Sequence, residues 1–543
     1  MKLKTISAFL ILFLLIIVAI IYEAPTIFSE PRKKLENFQK TTRCPSTKVL
    51  SPTSYEEAAE IVGDAYKNHK TVMVGSWGFA SQIDAACADA EGIQITTKNL
   101  NRLIDIDRKT KSATVQVGMR FQQFAETISH YGLAVNMVTE LSTFTIGGML
   151  GSGTHGSTLQ RPGAMLSDYV TKLKIVDGTG TIRNLEGELL DAARVNLGVL
   201  GLVLEVTIQL EDANKILGVQ ETHDSDTGLE NKILEYPRTH YSTSISWFPG
   251  LKKYAVTIYR EVPFTTTGEA FNAQADQPEW LYRSYKLITN LSHRSTKLSC
   301  LAANLRYATR KQPLFAENGQ SIPKGAIGFA HRMQHFDCPT RSKGGKTCLW
   351  DITPIKLQEI GIPIDELPNV IKDIKTILKR KNTCFPLNGI YFRFAKASKS
   401  YLGMSAGRDT AFISTEYLLK NSGKEAPLNY DIHQEIEQML LYKYKGRPHW
   451  GKNSIPIFIG SKNRFPKWDR FIAAKKELDP ANTFTNAFWE RASASIVSPE
   501  VMSKIYQDRC VEKDTCYCRE DRHCGSRKKC MPGRFFKEAS VCR

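Results

Sequence analysis

Past its first two dozen residues the sequence has no uncharged apolar run long enough to cross a bilayer, which excludes a transporter of many spans. It has no block of lysine and arginine longer than three or four residues. The excess of 73 basic over 55 acidic side chains, a formal charge of +18, is therefore spread thinly along 543 residues. Nucleic acid or an anionic membrane calls for a concentrated basic face; this balance reads as a soluble surface with a positive bias. The phosphate-binding pattern G-x-x-x-x-G-K-[ST] is missing, because Thr340 stands where Gly345-Lys346-Thr347 needs its first glycine. H-E-x-x-H and G-x-S-x-G are missing too, and with them two common hydrolase signatures. No histidine lies between His69 and His130, and no internal repeat is visible.

What is present is ordinary globular composition, 42% hydrophobic and 24% charged, so the chain is neither disordered nor fibrous. Its length suggests three or four units at roughly 150 residues each. Residues 6–22 are apolar and uncharged and follow Lys2 and Lys4, the form of a secretory signal. Their 17 positions sit at the lower limit for a membrane span. Two outcomes stay open. One is a cleaved signal peptide, with Ser29 as the tolerable small residue. The other is a retained signal-anchor that leaves the bulk of the chain in the lumen or outside. Both place the protein in the secretory pathway, membrane-anchored or secreted.

Cysteine usage agrees. Of twelve cysteines, six fall in the last 34 residues: Cys510, Cys516, Cys518, Cys524, Cys530 and Cys542. A short, even-numbered, cysteine-dense module in a secretory chain reads as a disulfide framework, with fifteen pairings open. Zinc competes poorly, since Cys516-Tyr517-Cys518 is C-x-C. Cys44, Cys87, Cys300, Cys338, Cys348 and Cys384 are available for further bridges. Asn290-Leu291-Ser292 has the form of a glycosylation acceptor.

Residues 23–44 read as a linker. From residue 45 an α/β pattern begins. Ser54-Tyr55-Glu56-Glu57 is a capping box opening a helix to about Asn68, and strands follow at 71–74, 93–96 and 113–117. A helix spans 121–131, strands 170–176 and 181–184 flank the turn Asp177-Gly178-Thr179-Gly180, and 203–210 is a further β-branched run. These elements make one domain, 45–212. In the second, 213–495, antiparallel strands are expected at 242–248 and 254–259, further strands at 390–395 and 411–415, and amphipathic helices at 367–378 and 430–444. Residues 263–325 read as irregular. Helices on one face of a sheet are the expected packing. Residues 500–543 form the cysteine-rich tail.

Glycines cluster in the first domain. Gly147, Gly148, Gly151, Gly153 and Gly156 lie within ten residues, Gly75-Ser76-Trp77-Gly78 follows a strand, and Asn196-Leu197-Gly198-Val199-Leu200-Gly201 precedes one. Gly151-Ser152-Gly153-Thr154-His155-Gly156 matches G-x-G-x-x-G, but Pro162 and Gly163 follow too soon for the helix a nicotinamide fingerprint needs. Glycine density lets a backbone approach an anion and aim its amides at it, or simply permits tight packing. Three such turns in one α/β unit favour a dinucleotide. Near the other end, His449-Trp450-Gly451-Lys452 joins an imidazole, an aromatic plane and an ammonium. A redox ring that becomes anionic on reduction needs a cation nearby, which Lys452 supplies, and His449 is suited to move a proton.

The segment Gly147-Gly148-Met149-Leu150-Gly151-Ser152-Gly153-Thr154-His155-Gly156-Ser157 resembles the diphosphate loop of the vanillyl-alcohol-oxidase-type FAD domain. Asn196 to Gly201 resembles its later N-L-G-x-L-G turn, and His449-Trp450-Gly451-Lys452 the C-terminal motif of its aldonolactone and alditol oxidase branch. Residues 45–490 as a whole resemble L-gulono-1,4-lactone oxidases, of which the plant type shares the N-terminal segment and the cysteine-rich tail. The resemblance implies an α+β fold: a two-lobed FAD-binding (PCMH-type) domain, an α/β substrate (cap) domain and a small disulfide-rich tail. It implies hydride transfer from a hydroxyl-bearing carbon of a sugar lactone to FAD, with O2 or another acceptor taking the electrons, as in ascorbate-type synthesis. Gly75, Ser76, Gly78 and Ser81, with Gly147 to Ser157, Gly198 and Gly201, would hold the cofactor. Lys452, His449 and Arg393 would do the chemistry.

Two departures stand out. The histidine that bonds covalently to FAD in many relatives falls at about Ala80 here, so FAD is expected to be non-covalent. A Glu-x-Arg pair that holds substrate hydroxyls reads Tyr391-Phe392-Arg393. Glu140, just ahead of the glycine segment, is the candidate compensating acid. The Tyr391 change keeps another sugar or alditol open as substrate. A non-catalytic glycoprotein displaying its tail is the remaining alternative, and if the tail is only an appendage, turnover survives its removal.

Overall fold

The computed structural model describes residues 35–37, 43–45, 48–75, 84–135, 137–141, 143–160, 163–273, 287–288, 291–292, 295–335, 355–379, 384–418, 428–493, 503 and 505–543. The apolar segment 6–22, Ser76, Gly78, Ala80, Ser81, Asn290, Cys338 and Cys348 lie outside the described residues.

Ser54 opens the helix Tyr55–Lys67, its hydroxyl accepting the Glu57 amide at 3.1 Å. The other half of the expected capping box differs. Glu57 Oε2 accepts from the amide and hydroxyl of Thr53, at 2.7 and 2.8 Å, pinning the chain one residue earlier. Ala58, Val62 and Ala65 pack this helix on a parallel three-stranded sheet in the order Lys48–Leu50, Ile93–Ile95, Val72–Val74. A second lobe is an antiparallel sheet in the order Leu103–Asp107, Ser112–Gln116, Leu202–Gln209, Val170–Val176, Ile182–Leu185. The turn at Asp177 forms the hairpin between the last two, Asp177 Oδ1 accepting the amides of Thr179 and Thr181. Helix Phe121–Ser129 turns Phe121, Phe124, Ala125 and Ile128 into the core, the spacing the sequence shows.

The glycine segment, read from the sequence as a loop, begins instead as a short helix, Ile146–Ser152. Thr145 Oγ1 caps it by accepting the Gly148 amide at 3.2 Å, and Gly153 ends it at φ +67°. Gly201 has a packing role. It sits at φ +138°, and a Cβ there would lie 2.5 Å from the Val176 carbonyl oxygen. Gly201→Ala is therefore expected to cost about 2–4 kcal/mol from strain and overlap, visible as a lowered thermal midpoint.

The second domain is built on an eight-stranded antiparallel sheet. Its order is Ala326–Phe329, Lys215–His223, Lys253–Val262, Ser242–Phe248, Ile390–Ala395, Thr410–Leu418, Ile355–Pro363, Arg447–Pro448. Alternation along the strands gives its faces opposite characters. One carries Ile245, Trp247, Ile390, Phe392, Ile413, Ile360 and Ile362. These share a core with Val370, Ile371 and Ile374 of helix Leu367–Lys379 and with Ile436 and Met439 of helix Tyr430–Tyr442. The other face carries Ser244, Ser246, Tyr391, Arg393, Ser414, Glu416 and Glu359, set side by side by the strand register. A polar face this size, largely covered, must have its groups hydrogen-bonded to partners.

Three sequence expectations are corrected here. Strand Ile355–Pro363 was not anticipated, because Lys356, Gln358 and Glu359 break its alternation. Residues 263–325 are not irregular: they contain helix Thr296–Thr309 and a small sheet of Phe271–Asn272, Phe315–Glu317 and Gln320–Ile322. Helix Tyr430–Tyr442 is buried on nearly every side rather than amphipathic, because the tail covers the face that Glu435, Glu437 and Gln438 would otherwise show to water.

The chain then returns to the first domain, although the sequence reading keeps it with the second. Phe484 enters the core around Ala58, Val62 and Ile95. Thr483 O accepts the Val72 amide at 2.7 Å, and Asn486 Nδ2 donates to the carbonyls of Asp84 and Cys87. Buried Lys475 donates to Val199 O and Asp479 Oδ2. Five disulfides lie among the described residues. Cys44–Cys87 and Cys300–Cys384 tie the two domains internally, and Cys510–Cys516, Cys518–Cys530 and Cys524–Cys542 resolve the tail's open pairing. Among the described residues no helix is long and apolar enough to cross a membrane.

Candidate active site

The site lies where the glycine segment meets the polar face of the large sheet. Thr158 donates its amide to Phe394 O at 2.8 Å and its hydroxyl to Tyr241 O at 2.7 Å, and Ser157 Oγ takes the Phe394 amide at 3.1 Å while donating to Thr243 O. Ser157 thus joins the two domains, and His155, two residues earlier, is carried onto the sheet.

Strand register lays a row of side chains across the face. His449 donates its amide to Glu359 O at 3.0 Å, Glu359 pairs with Ser414, Ser414 with Tyr391, and Tyr391 with Ser246. Arg393, one pair further along, reaches back diagonally. The centre of the row is Glu359, whose side chain is fully buried. Its Oε1 accepts from His155 Nε2 at 2.8 Å and Lys452 Nζ at 3.0 Å, and its Oε2 from Ser414 Oγ at 2.5 Å and from Arg393. Asn453 fixes the backbone on both sides, accepting the Glu359 amide and donating to its carbonyl.

Protonation follows from these partners. Burial opposes the Glu359 charge, yet Arg393, Lys452 and His155 outweigh burial and hold the carboxyl well below its usual range. Arg393 is raised in return, Glu359 overcoming desolvation. Lys452 is lowered by burial, with Glu359 opposing. His155 has Nδ1 against Gly156 O at 2.9 Å and Nε2 against Glu359, acceptors at both nitrogens that invite a second proton. Burial and the charges of Arg393 and Lys452 forbid it and push the ring down to about 4. His155 is neutral, with its single proton on Nε2 facing the stronger acceptor. His449 is also held well below its usual value, by burial and then by Lys452. Its Nδ1 accepts the Gly451 amide at 3.0 Å, so its proton is on Nε2.

Of the residues expected from sequence, Lys452, His449 and Arg393 converge here, and His155 joins them. Lys452 keeps 20% side-chain exposure, the greatest of the cations on Glu359. Trp450 faces the interior, donating to Leu402 O at 2.8 Å and stacking on Phe458 and Phe465. Glu140 lies near Tyr391. Burial and then Glu140 raise the Tyr391 hydroxyl well above its usual value. Two carboxylates thus stand near Tyr391 and Arg393, Glu359 on another strand and Glu140 in a loop. Sequence reasoning missed Glu359. The available signal was an acid immediately before the short apolar run Ile360-Gly361-Ile362-Pro363, which reads as the end of a strand only once its partner is known.

The expected cofactor glycines divide by surroundings. A Cβ at Gly75, Gly147 or Gly156 would meet Leu35, Val117 or the Val138 carbonyl at 2.6, 3.0 and 2.4 Å, so these pack against protein. Gly198 stands 3.5 Å from Met73 Cε on the same measure, and Gly153 3.5 Å from Val195. Gly151 on Ile146–Ser152 has room, its nearest neighbour being Asn196 Oδ1 at 3.9 Å, while Gly148, one turn earlier, is exposed but a Cβ there would lie only 3.2 Å from its own cap, Thr145 Oγ1. Ser152 Oγ and Thr154 Oγ1 are bonded to each other at 2.9 Å at the end of this helix. Thr143 Oγ1 and Arg393 Nε are buried without a partner. A side-chain-free strip, neighbouring hydroxyls and unsatisfied donors next to a cationic cluster fit FAD.

Comparisons with known proteins agree. An FAD binding domain family model matches residues 46–186, and a D-arabinono-1,4-lactone oxidase model matches 351–492. The chain is 30% identical to probable L-gulonolactone oxidase 6 of Arabidopsis thaliana, over 93% of this chain and 88% of that protein. It is 26% identical to the L-gulonolactone oxidase of Bos taurus, over 84% and 98%. The fold is that of cholesterol oxidase from B. sterolicum, with a TM-score of 0.67 at 15% identity over 87% of this chain and 99% of that one. Fold and site together define an FAD-dependent oxidoreductase acting on CH–OH groups. Within that class, the chain belongs to the L-gulonolactone oxidase family.

Proposed function

We propose that this enzyme oxidises an aldonolactone of the L-gulono-1,4-lactone kind, whose product rearranges to an ascorbate-type enediol. The observation that carries the reading is the convergence of Arg393, Lys452 and His155 on Glu359, with His449 beside them, on the polar face that the flavin lobe covers. The similarity to L-gulonolactone oxidases supports the substrate class. Bound FAD supplies the acceptor for the hydride leaving the substrate carbon.

The chain's own groups have distinct tasks. The glycine strip of Ile146–Ser152, the hydroxyl of Thr143 and the segment 75–81 hold the cofactor. Arg393, fixed by Glu359, has Nε left to donate to a substrate oxygen. His449 carries its proton on Nε2, with Nδ1 already engaged, so it orients an oxygen by donating and is not the base. The proton acceptor for the substrate hydroxyl is Glu140, in the loop near Tyr391. Lys452 keeps positive charge where negative charge develops. The same Tyr391–Glu140 pair favours a second reading, another sugar or alditol, because a phenol and a loop carboxylate define hydroxyl spacing differently from a strand carboxylate.

Retention of FAD is proposed to be non-covalent, in keeping with the absence of histidine from 70 to 129. The five disulfides support an oxidising, secretory compartment. The expected result is a yellow protein that releases its flavin on acid precipitation and bleaches when titrated anaerobically with L-gulono-1,4-lactone. Bleaching by an alditol alone would select the second reading, and a colourless protein that takes up no FAD would reject both.

A further inference from the structure

The cysteine-rich tail does not stand apart from the enzyme. It lies on helix Tyr430–Tyr442, whose other side rests on the large sheet. Part of the contact is ordinary docking: Glu435 Oε1 accepts the amides of Phe535 and Phe536 at 2.6 and 2.8 Å, and Gln438 exchanges two bonds with Ser540 at 2.9 and 3.0 Å. Two tail side chains go further: Asp514 reaches the sheet itself, and Tyr517 reaches it through Glu437 of the helix. Asp514 accepts from Tyr417 at 3.0 Å and Tyr430 at 2.5 Å, and pairs with Lys356. Tyr517 donates to Glu437 Oε1, while Gln358 donates to Glu437 Oε2 and accepts from Thr415 at 2.7 Å.

Lys356 and Gln358 belong to strand Ile355–Pro363 and point to the face opposite Glu359, which is the next residue. On its outer side it pairs with strand Arg447–Pro448 through Ile360 and Gly361, and His449 and Asn453, just beyond that strand, bond it at Glu359 and Leu357. Both edges of the portion leading into Glu359 are therefore bonded, and its face away from the site is gripped by the tail. The grip is half-buried at its tail end, buried at Gln358 and Glu437, and closely hydrogen-bonded, so it transmits displacement instead of absorbing it. Displacing the strand would lengthen or misalign four contacts at once, because His155, Arg393, Lys452 and Ser414 all meet the one carboxylate.

We propose that Asp514 and Tyr517 of the disulfide tail are positioning residues for the oxidation, fixing through Lys356, Glu437 and Gln358 the strand that carries Glu359. The proposal rests on the role of the Glu359 cluster given above and goes beyond it by assigning the tail a part in turnover. Asp514→Asn and Tyr517→Phe in the full-length, FAD-loaded enzyme test it, with Glu435→Gln as the control that loosens docking without touching the sheet. Both test variants are expected to keep their flavin, to lose at least fivefold in kcat and to shift the visible band of bound FAD. Glu435→Gln is expected to lower the thermal midpoint yet keep kcat and spectrum. Test variants within twofold of wild-type kcat and with its spectrum would overturn the proposal, as would an equal loss in Glu435→Gln. Should Asp514→Asn fail to fold, Tyr517→Phe, which removes one hydroxyl, decides. If the wild-type enzyme turns over no lactone, the substrate reading fails, whereas the spectral comparison still judges the tail.

Discussion

Glu359→Gln, loaded with FAD, is expected to turn over at least about a thousandfold more slowly than wild type, roughly 4 kcal/mol in barrier height, and to be much less stable. The amide has no charge to set against Arg393 and Lys452, so two cations are left buried without their anion. Breaking a buried ion pair in this way typically costs about 3–5 kcal/mol. The NH2 group also turns a donor toward Arg393, Lys452, Ser414 or His155, each of which donates to the carboxylate now. The effect is pH-linked, and its sign is set by the direction of the shift. Glu359 ionises far more readily folded than unfolded, so its stabilisation is present above the ordinary carboxyl range and fades as acid is added through and below it. Thermal melts of wild type and variant should therefore converge as pH falls and lie furthest apart near neutrality, with steady-state kcat read alongside at neutral pH.

Lys452→Met is expected to separate the two effects. Turnover should fall about 10²–10³-fold, the usual loss when a fixed charge is taken from a site of charge development. Stability should change little, because Glu359 keeps Arg393, Ser414 and the His155 proton, and because a lysine whose own charge is penalised by burial gives up less when replaced by a methionine of similar length. Rapid-mixing measurement of flavin bleaching, with FAD content and melting temperature determined on the same sample, checks all three. A variant that unfolds, or one that bleaches at the wild-type rate, would show that Lys452 is a strut and not part of the chemistry.

The contrast between these residues explains what could be read in the chain. Lys452, His449 and Arg393 were legible because each sits in a short motif that carries a family resemblance, and because the residue types alone suit a reducible ring. The helices at 55 and 121 and the hairpin at Asp177 were legible because local rules place them: a hydroxyl cap, apolar spacing, a turn of Asp and Gly. Glu359 was not, since nothing local distinguishes an acid that will meet four partners from strands and loops 34 to 204 residues away. Its strand was hidden for the same reason, with polar residues on both faces serving different buried networks. The tail's bridges were out of reach because spacing does not choose among pairings. Helix Tyr430–Tyr442 misled in the opposite direction. Its acids and glutamines look like a solvent face until the covering module is in place.

The return of residues 468–493 to the flavin lobe has a consequence for biosynthesis. Val72 and Asp84 emerge early from the ribosome, while their partners Thr483 and Asn486 are about 400 residues behind, the Asp84–Asn486 separation being 402. A nascent chain can shape the two lobes as they appear, but Phe484 is needed to close the hydrophobic centre between Ala58 and Ile95. The core of the flavin lobe is thus completed only after residue 484 has been made, and loading with FAD is expected to wait for it.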